Sequence, residues 1–170
     1  MNAVTDATVY VTSLREILWG VMLVASTMII HGFGMILTLR LNHIFKLRFE
    51  PIPSFGLGVF SLILASWMII LVHLTEVGVW AGFFVWKDAL PNYSIAYYFS
   101  LNEYTTVGSN YNLPRNWRLL EGMVATAGLL GFAWSTGVLV TLAQDFQGHE
   151  LQRLRRRREN RLPKFSDHKP

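Results

Sequence analysis

Residues 103–111, with the sequence EYTTVGSNY, hold the residue types that could do the clearest chemistry in this chain. Threonine hydroxyls and backbone carbonyls are oxygen ligands, and ion pores offer rings of such oxygens in place of a cation's water shell. Gly108 adds a backbone position that adopts positive φ at no steric cost. The tetrapeptide TTVG is ordinary by itself, so its meaning depends on the elements that position it.

Other common chemistries are missing from the sequence. The chain has 170 residues and no cysteine, which excludes disulfides, thiolate metal sites and thiol catalysis. It contains no GxGxxG pattern, no Walker loop and no Ser/His/Asp arrangement. The sequence therefore predicts neither an enzyme nor a resident cofactor, and no metal beyond permeating cations.

Three long uncharged blocks predict an all-α membrane protein. Hydrophobic residues make up 52% of the chain and charged residues 15%, and residues 17–39, 55–75 and 122–144 contain no Asp, Glu, Lys or Arg. A helix needs about 20 apolar residues to cross the hydrocarbon core of a bilayer, so each block is long enough. Ser13 and Glu16 form a capping-box pattern just before the first block.

A short helix and an irregular segment are predicted between the second and third spans. Residues 93–105 would give a helix of about 20 Å, too short to span, and we expect residues 76–86 to emerge from the membrane or break the second helix. Irregular backbone is tolerated at membrane depth only inside protein or along a water-filled cavity, so a re-entrant segment is expected. The predicted segments are an N-terminal segment 1–16, a first span 17–41, a linker 42–54, a pore domain 55–144 (outer helix 55–79, pore helix 93–105, filter 106–110, inner helix 117–144) and a basic tail 145–170.

Positive charge predicts the orientation of the spans. The linker region carries Arg40, Lys46 and Arg48, and the tail carries eight Lys or Arg residues. By the positive-inside rule both segments face the cytoplasm. With three spans, the N-terminus and the re-entrant segment then lie outside.

Residues 55–142 resemble the bacterial two-transmembrane, pore-loop family of potassium channels. The stretch AYYFSLNEYTTVG is similar to a pore helix followed by the start of a selectivity filter, and the third span carries WRLL and FAWST. HLTE in the second span is similar as well. The resemblance implies a four-fold homotetramer, because one filter strand cannot enclose an ion, and it implies the bacterial inner membrane. The first span is an addition to the family's pattern.

The resemblance also assigns the residues that would contact ions. Thr106 would supply the innermost ring, and Val107 and Gly108 would supply the next carbonyls. Ser109 stands where a large aromatic residue usually braces the filter, and Asn110 stands where a second glycine is usual. We therefore expect a wider or more mobile outer filter, with weak or absent selectivity for potassium.

Residues beside the filter and on the inner helix are predicted to support it. Asn102 could hydrogen-bond behind the filter, and Glu103 either braces it through Tyr111 or Arg115 or lies in water at the mouth. Thr105 belongs to the same supporting set. Three glycines of the inner helix serve either close helix packing or a gating hinge, and these are Gly128, Gly131 and Gly137.

Histidines in the spans lead to two further hypotheses. A histidine on each of two helices could ligate a haem iron, but counted from the predicted inner helix ends His31 and His73 differ in depth by roughly 12 Å. His73 and Glu76 share one helix face. A zinc or proton site there and a plain polar contact near the outer interface both stay open.

The sequence as a whole predicts a tetrameric, potassium-channel-like pore that conducts monovalent cations passively, potassium first and sodium second. A non-conducting membrane scaffold or lipid-interacting assembly is the alternative, because the filter is altered. The tail predicts contact with anionic lipid headgroups rather than with nucleic acid, through Arg153, Arg155, Arg156, Arg157 and Arg158.

Overall fold

Four α-helices and one short 3-10 turn make up the described part of the chain. In this computed structural model the described residues are 12–49 and 55–159. The elements are α1 (Leu14–Phe49), α2 (Phe55–Trp86), α3 (Tyr93–Tyr104), a 3-10 turn (Arg115–Trp117) and α4 (Leu119–Glu159). No strand occurs within these residues, so the predicted all-α class is confirmed. The predicted N-terminal segment up to residue 11, residues 50–54 of the predicted linker and residues 160–170 of the predicted tail lie outside the described residues.

Helices α1, α2 and α4 are long and apolar enough to cross a membrane. They contain 36, 32 and 41 residues, which at 1.5 Å per residue corresponds to roughly 48 to 62 Å, against a hydrocarbon core of about 30 Å. The prediction of three helices able to span is confirmed, as expected for a membrane protein.

The start of α1 carries the predicted capping box, and the carboxylate of Glu16, which belongs to this box, also binds the start of a second helix. Glu16 accepts the backbone N–H of Ser13 at 3.0 Å, and Ser13 Oγ accepts the N–H of Glu16 at 3.2 Å. The other oxygen of Glu16 accepts the N–H of Leu119, the first residue of α4, at 3.3 Å. Glu16 is buried, so one carboxylate caps the N-terminal ends of α1 and α4, where the helix dipole favours negative charge.

The short helix α3 packs between α2 and α4. Its N-cap is Asn92, whose side-chain oxygen accepts the N–H of Ile95 at 2.9 Å. One apolar cluster surrounds the helix, and its fully buried members include Trp80, Phe84, Ala96, Phe99, Leu120 and Val124. The helix is therefore held by the same core that joins α2 to α4.

All three long helices are longer than the sequence pattern predicts, and α2, predicted to end at residue 79, ends at Trp86. α1 continues to Phe49, through residues that were expected to form the linker, and α4 continues to Glu159, through the first part of the expected tail. Residues 42–49 contain no proline or glycine, so nothing in them ends a helix. Lys46 of α1 also pairs with Asp145 of α4 at 2.5 Å, which keeps the two extensions side by side.

Of the two outcomes expected for residues 76–86, emergence from the membrane or a break in the helix, the break is absent, because α2 runs unbroken through Trp86. Its last turns belong to the buried core, since Trp80 and Phe84 are fully buried. The charged residue that follows α2 also packs against the protein. The Lys87 ammonium lies 3.4 Å from the ring centroid of Trp86 and 4.6 Å from that of Trp19 on α1. Packing thus keeps the end of α2 helical.

Candidate functional site

The C-terminal end of α3 closes with a backbone motif built from the predicted filter residues. The N–H of Thr106 donates to the carbonyl of Glu103 at 2.9 Å, and the N–H of Val107 donates to the carbonyl of Asn102 at 3.0 Å. This is the Schellman pattern that ends many helices. Thr106 has a φ of 60° at the position where glycine is usual. A β-branched residue in this region is strained, and such strain accumulates at functional sites.

Four consecutive N–H groups are bound to the end of α3. Besides the two just described, Gly108 donates to the carbonyl of Asn102 at 3.2 Å and Ser109 donates to Oε1 of Glu103 at 2.9 Å. All these peptides are trans, so each carbonyl points opposite to the N–H of its own peptide. The carbonyls of residues 105–108 are therefore directed away from α3. In the described part of the chain no group donates a hydrogen bond to them.

The side of the segment that carries these carbonyls is open. Residues 105–108 and Asn110 are exposed, and Val107 keeps 75% of its surface. Gly108 has a φ of 82°, in the left-handed region expected for it, and a Cβ atom there would meet nothing within 4 Å. The arrangement offers oxygen ligands to a cation, but one chain leaves them uncovered.

The other predicted supporting residues lie around this segment. The Asn102 side chain donates back to the carbonyl of Tyr98 at 2.8 Å, so this residue reaches the segment through its own backbone carbonyl. Thr105 donates its hydroxyl to its own helix, to the carbonyl of Leu101 at 2.8 Å. Tyr111 is exposed, and its N–H donates to the hydroxyl of Ser109 at 3.1 Å.

Glu103 binds the outer half of the predicted filter directly. The partner that the structure gives its carboxylate is the backbone N–H of Ser109. Burial raises the pKa of Glu103 above its ordinary value, the Ser109 N–H opposes that rise, and the nearby charge of Glu121 adds to it. The carboxylate is thus both a brace for the segment and a group that takes up a proton more readily than an exposed glutamate.

The three inner-helix glycines have different surroundings. At Gly128 an added Cβ atom would lie 1.9 Å from the carbonyl oxygen of Tyr104, and at Gly131 it would lie 2.8 Å from the hydroxyl of the same tyrosine. At Gly137 an added Cβ would meet nothing within 4 Å. Gly128 and Gly131 therefore let α4 approach the end of α3, whereas at Gly137 the described residues leave open space where a side chain would lie.

Five buried side chains form a closed ring directly behind α3. His31 Nδ1 lies 2.8 Å from one oxygen of Glu76, and the Tyr104 hydroxyl donates to the other. The ring continues from Tyr104 to His73 Nδ1 at 2.9 Å, from His73 Nε2 to Ser135 Oγ at 2.9 Å, and from Ser135 Oγ to His31 Nε2 at 3.2 Å. All five residues are at most 9% exposed, and together they join α1, α2, α3 and α4.

The ring corrects the depth expected for two histidines. The rings of His31 and His73 lie 5.2 Å apart, centroid to centroid, and not at depths that differ by roughly 12 Å. The predicted offset follows from a first span that ends at residue 41, whereas α1 ends at Phe49. Because α1 continues to Phe49 and α2 begins at Phe55, both histidines stand the same number of residues from the linker end of their helices.

The ring also bears on the metal hypotheses. Coordinating atoms of His31, His73 and Glu76 lie within 4.8 Å of one another. Each of their ring nitrogens and carboxylate oxygens already has a hydrogen-bond partner in the ring. These residues therefore form a hydrogen-bonded network in this structure, and the same atoms are close enough to one another to hold a metal ion.

Three members of the ring were not grouped with the pair His73 and Glu76 by the sequence pattern. The sequence predicts a different depth for His31. It gives no role of their own to Tyr104 and Ser135, which lie inside the EYTTVG and FAWST stretches. The usable signal was general: polar and ionisable groups inside apolar spans are costly and pair with one another. Sequence spacing does not reveal which of them meet across four helices.

Basic residues at the end of α4 line its last exposed turns. Arg153 pairs with Glu150 at 2.8 Å, and the residues that follow, Arg155 to Arg158, are exposed. The helical backbone therefore displays the arginines that the sequence predicts to contact lipid.

The geometry offers two features that can do chemistry: outward carbonyls at the end of α3, and a buried ring of titratable side chains behind it. The first provides oxygen ligands, and the second can hold or exchange protons. No protein-family model, curated protein or solved structure matches the chain, so a function has to be argued from these two features.

Proposed function

We propose that this protein is a pore-loop cation channel that works as a homotetramer and conducts monovalent cations with weak or absent selectivity for potassium. The proposal joins the resemblance of residues 55–142 to the bacterial two-transmembrane potassium channels with the geometry at the end of α3. The protein carries out no catalysis in this proposal, and the ligands of its pore are permeant ions.

The observation that carries the proposal is the direction of four carbonyl groups. The N–H groups of residues 106–109 are bound to the end of α3, so the carbonyls of residues 105–108 are free to face an ion path. A pore replaces the hydration shell of a cation with such oxygens. The negative end of the α3 dipole lies behind them and favours a cation over an anion.

The placement of α3 supports a re-entrant segment. The helix has 12 residues, or about 18 Å at 1.5 Å per residue, and it packs between two helices that are long enough to span. Irregular backbone at membrane depth needs protein or water beside it, and the core around α3 supplies the protein. In the proposed topology the segment enters from outside, and the linker and tail face the cytoplasm of a bacterial inner membrane.

A tetramer would complete what one chain leaves open. One segment surrounds an ion from one side only, and Val107 and the neighbouring carbonyls are uncovered. Four copies around an axis would bring four such segments together. Apolar side chains of α4 that stay exposed in one chain, Leu129, Phe132 and Trp134, would then meet lipid or a neighbouring copy.

Weak selectivity follows from the outer half of the segment. Ser109 and Asn110 provide no aromatic ring to pack sideways. Ser109 is held instead by two hydrogen bonds, from its N–H to the Glu103 carboxylate and from the N–H of Tyr111 to its hydroxyl, and these do not replace the sideways packing of a ring. An outer filter with less bracing is expected to adapt to ions of different size.

Anionic lipid is the proposed partner at the other end of α4. Arg155 to Arg158 are exposed on a helix, and clustered arginines near a membrane surface attract anionic headgroups by about 1 kcal/mol per residue. No nucleic acid is needed to account for the charge.

Cation flux into proteoliposomes tests the proposal. Purified tetramers should take up rubidium, potassium and sodium at comparable rates, and Val107→Trp, which fills the open face of the segment, should block uptake without unfolding the protein. Folded tetramers that pass none of these ions would overturn the channel and favour the non-conducting scaffold. Leu151→Trp, at an exposed position far from the segment, is the matched control.

A further inference from the structure

The buried ring holds one hydrogen atom fewer than its hydrogen-bond contacts require. Its members are His31, Glu76, Tyr104, His73 and Ser135. Five contacts close the ring, and each needs one hydrogen atom. Two neutral imidazoles, one phenol and one alcohol supply only four when the carboxyl group is ionised. The missing hydrogen is at Ser135. Its hydroxyl lies between Nε2 of both histidines, but its one hydrogen can be donated to only one of them.

We propose that the ring is a binding site for one proton, held as an imidazolium on His31 and paired with the carboxylate of Glu76. This fifth hydrogen gives every contact a donor and an acceptor. His31 donates through Nδ1 to Glu76 and through Nε2 to Ser135. Ser135 then donates to Nε2 of His73.

The remaining contacts fix the state of the second histidine. Because Nε2 of His73 accepts from Ser135, His73 is neutral and carries its hydrogen on Nδ1. That hydrogen is donated to the oxygen of Tyr104, and Tyr104 donates its own to Glu76. Each of the five contacts then has one donor and one acceptor, and the Glu76 carboxylate accepts two hydrogen bonds, from His31 and from Tyr104.

The cost of burying a net charge favours the same protonated ring that the number of hydrogen atoms favours. Glu76 and His31 are both fully buried, and an unpaired carboxylate at such a site would be costly. With the proton the ring is neutral overall, and without it the ring carries one negative charge and one contact without a hydrogen. The titratable groups that face one another here come from α1 (His31), α2 (His73 and Glu76) and α3 (Tyr104), while α4 contributes the serine.

The proposal does not depend on ion conduction, because it concerns proton occupancy alone. Solid-state NMR of the full chain in lipid vesicles at pH 8, with histidines labelled with ¹⁵N and assigned through their backbone neighbours, tests it. His31 should show two protonated ring nitrogens and His73 only one, at Nδ1. The wild-type spectrum decides by itself: two neutral histidines at pH 8 would overturn the proposal.

Variants sharpen the measurement. Glu76→Gln removes the negative charge and should convert His31 to a neutral ring at pH 8. His43→Gln removes an exposed histidine of α1 and should leave both signals of the ring unchanged. One zinc ion bound per chain, with binding lost in His31→Gln, would also overturn the proposal, because the cation would then be a metal.

Stability gives a second readout. An ordinary histidine is mostly neutral above a pH of about 6.5, so the unfolded chain holds no extra proton there. The folded chain would hold one, and its unfolding constant should rise about tenfold per pH unit while the ring stays occupied. The rise should persist in His43→Gln and flatten in Glu76→Gln, and an equal slope in both variants would count against the ring.

Discussion

A Cβ atom at position 128 would lie 1.9 Å from the carbonyl oxygen of Tyr104, so Gly128 brings α4 into backbone contact with the last residue of α3. Gly128→Ala should therefore lower the free energy of unfolding by about 1 to 3 kcal/mol, since the obstacle is backbone and cannot rotate away. Thermal denaturation in detergent measures it. Gly137→Ala, where an added Cβ meets nothing within 4 Å, should keep or raise stability, because alanine favours a helix more than glycine does, and equal losses in both variants would contradict the packing argument.

Thr106→Gly should stabilise the fold. A β-branched residue at a φ of 60° costs of order 1–3 kcal/mol, and glycine avoids that cost, so the free energy of unfolding is expected to rise by about 1 kcal/mol. The neighbouring substitution Thr105→Gly is the control, because Thr105 has a φ of −87° and loses its hydroxyl contact with Leu101. It should destabilise. A loss of stability in both variants would show that Thr106 carries no backbone strain.

Acidification should reduce cation current through the proposed pore. Burial raises the pKa of Glu103, so as the pH falls its carboxylate is neutralised at a higher pH than an ordinary glutamate. The negative charge near the filter, which attracts cations, is then lost. Currents recorded in planar bilayers should decline on acidification, starting at a higher pH than an ordinary glutamate with a pKa of about 4.3 would give, and Glu103→Gln should give a small current that lacks this decline. Glu150→Gln, on the far part of α4, should keep the wild-type profile.

Restoring the outer filter should raise the preference for potassium over sodium. The double substitution Ser109→Tyr with Asn110→Gly supplies the aromatic brace and the second flexible position that the resembling channels have. Reversal potentials in mixed potassium and sodium solutions measure the change. Ser109→Ala with Asn110→Gly is the matched control, since it adds glycine without the ring. An identical reversal potential in the wild type and the restored variant would contradict the account of weak selectivity.

Glu16→Ala should cost about 3 to 6 kcal/mol of stability. The carboxylate is buried and accepts the N–H groups of Ser13 and Leu119, and hydrogen bonds to charged groups contribute about 1.5 to 3 kcal/mol each. Asp145→Asn breaks the half-exposed pair with Lys46 and should cost less than about 1 kcal/mol. Unfolding in denaturant compares the two, and a larger loss in Asp145→Asn would reverse the expected order.

The sequence predicts local features better than contacts between helices. Hydrophobic blocks indicated three helices able to span, Ser13 and Glu16 indicated a capping box, and Gly108 indicated positive φ. Each of these depends on residues close together in the chain. The positive φ of Thr106 was not predictable in this way, because helix ends favour glycine there and only the hydrogen bonds of the folded segment hold a threonine in that conformation.

The buried ring shows why the rest could not be predicted. His31 meets Glu76 only because α1 runs on to Phe49, and an error in that one helix end moved the histidine to another depth. Ser135 gave no signal beyond its position in a short motif. Contacts across four helices depend on the length, rotation and axial position of every helix at once, and a single sequence constrains these weakly.

The first helix is a structural component of the proposed pore and not a removable extension. It supplies the only hydrogen-bond partner of Glu76 outside α2 and α3 among the described residues, and its Glu16 caps the start of α4. A minimal version beginning at Phe55 would leave a carboxylate facing lipid and a helix end without its cap. Moving the part that begins at Phe55 into another protein would therefore require either a helix that replaces α1 or the removal of Glu76.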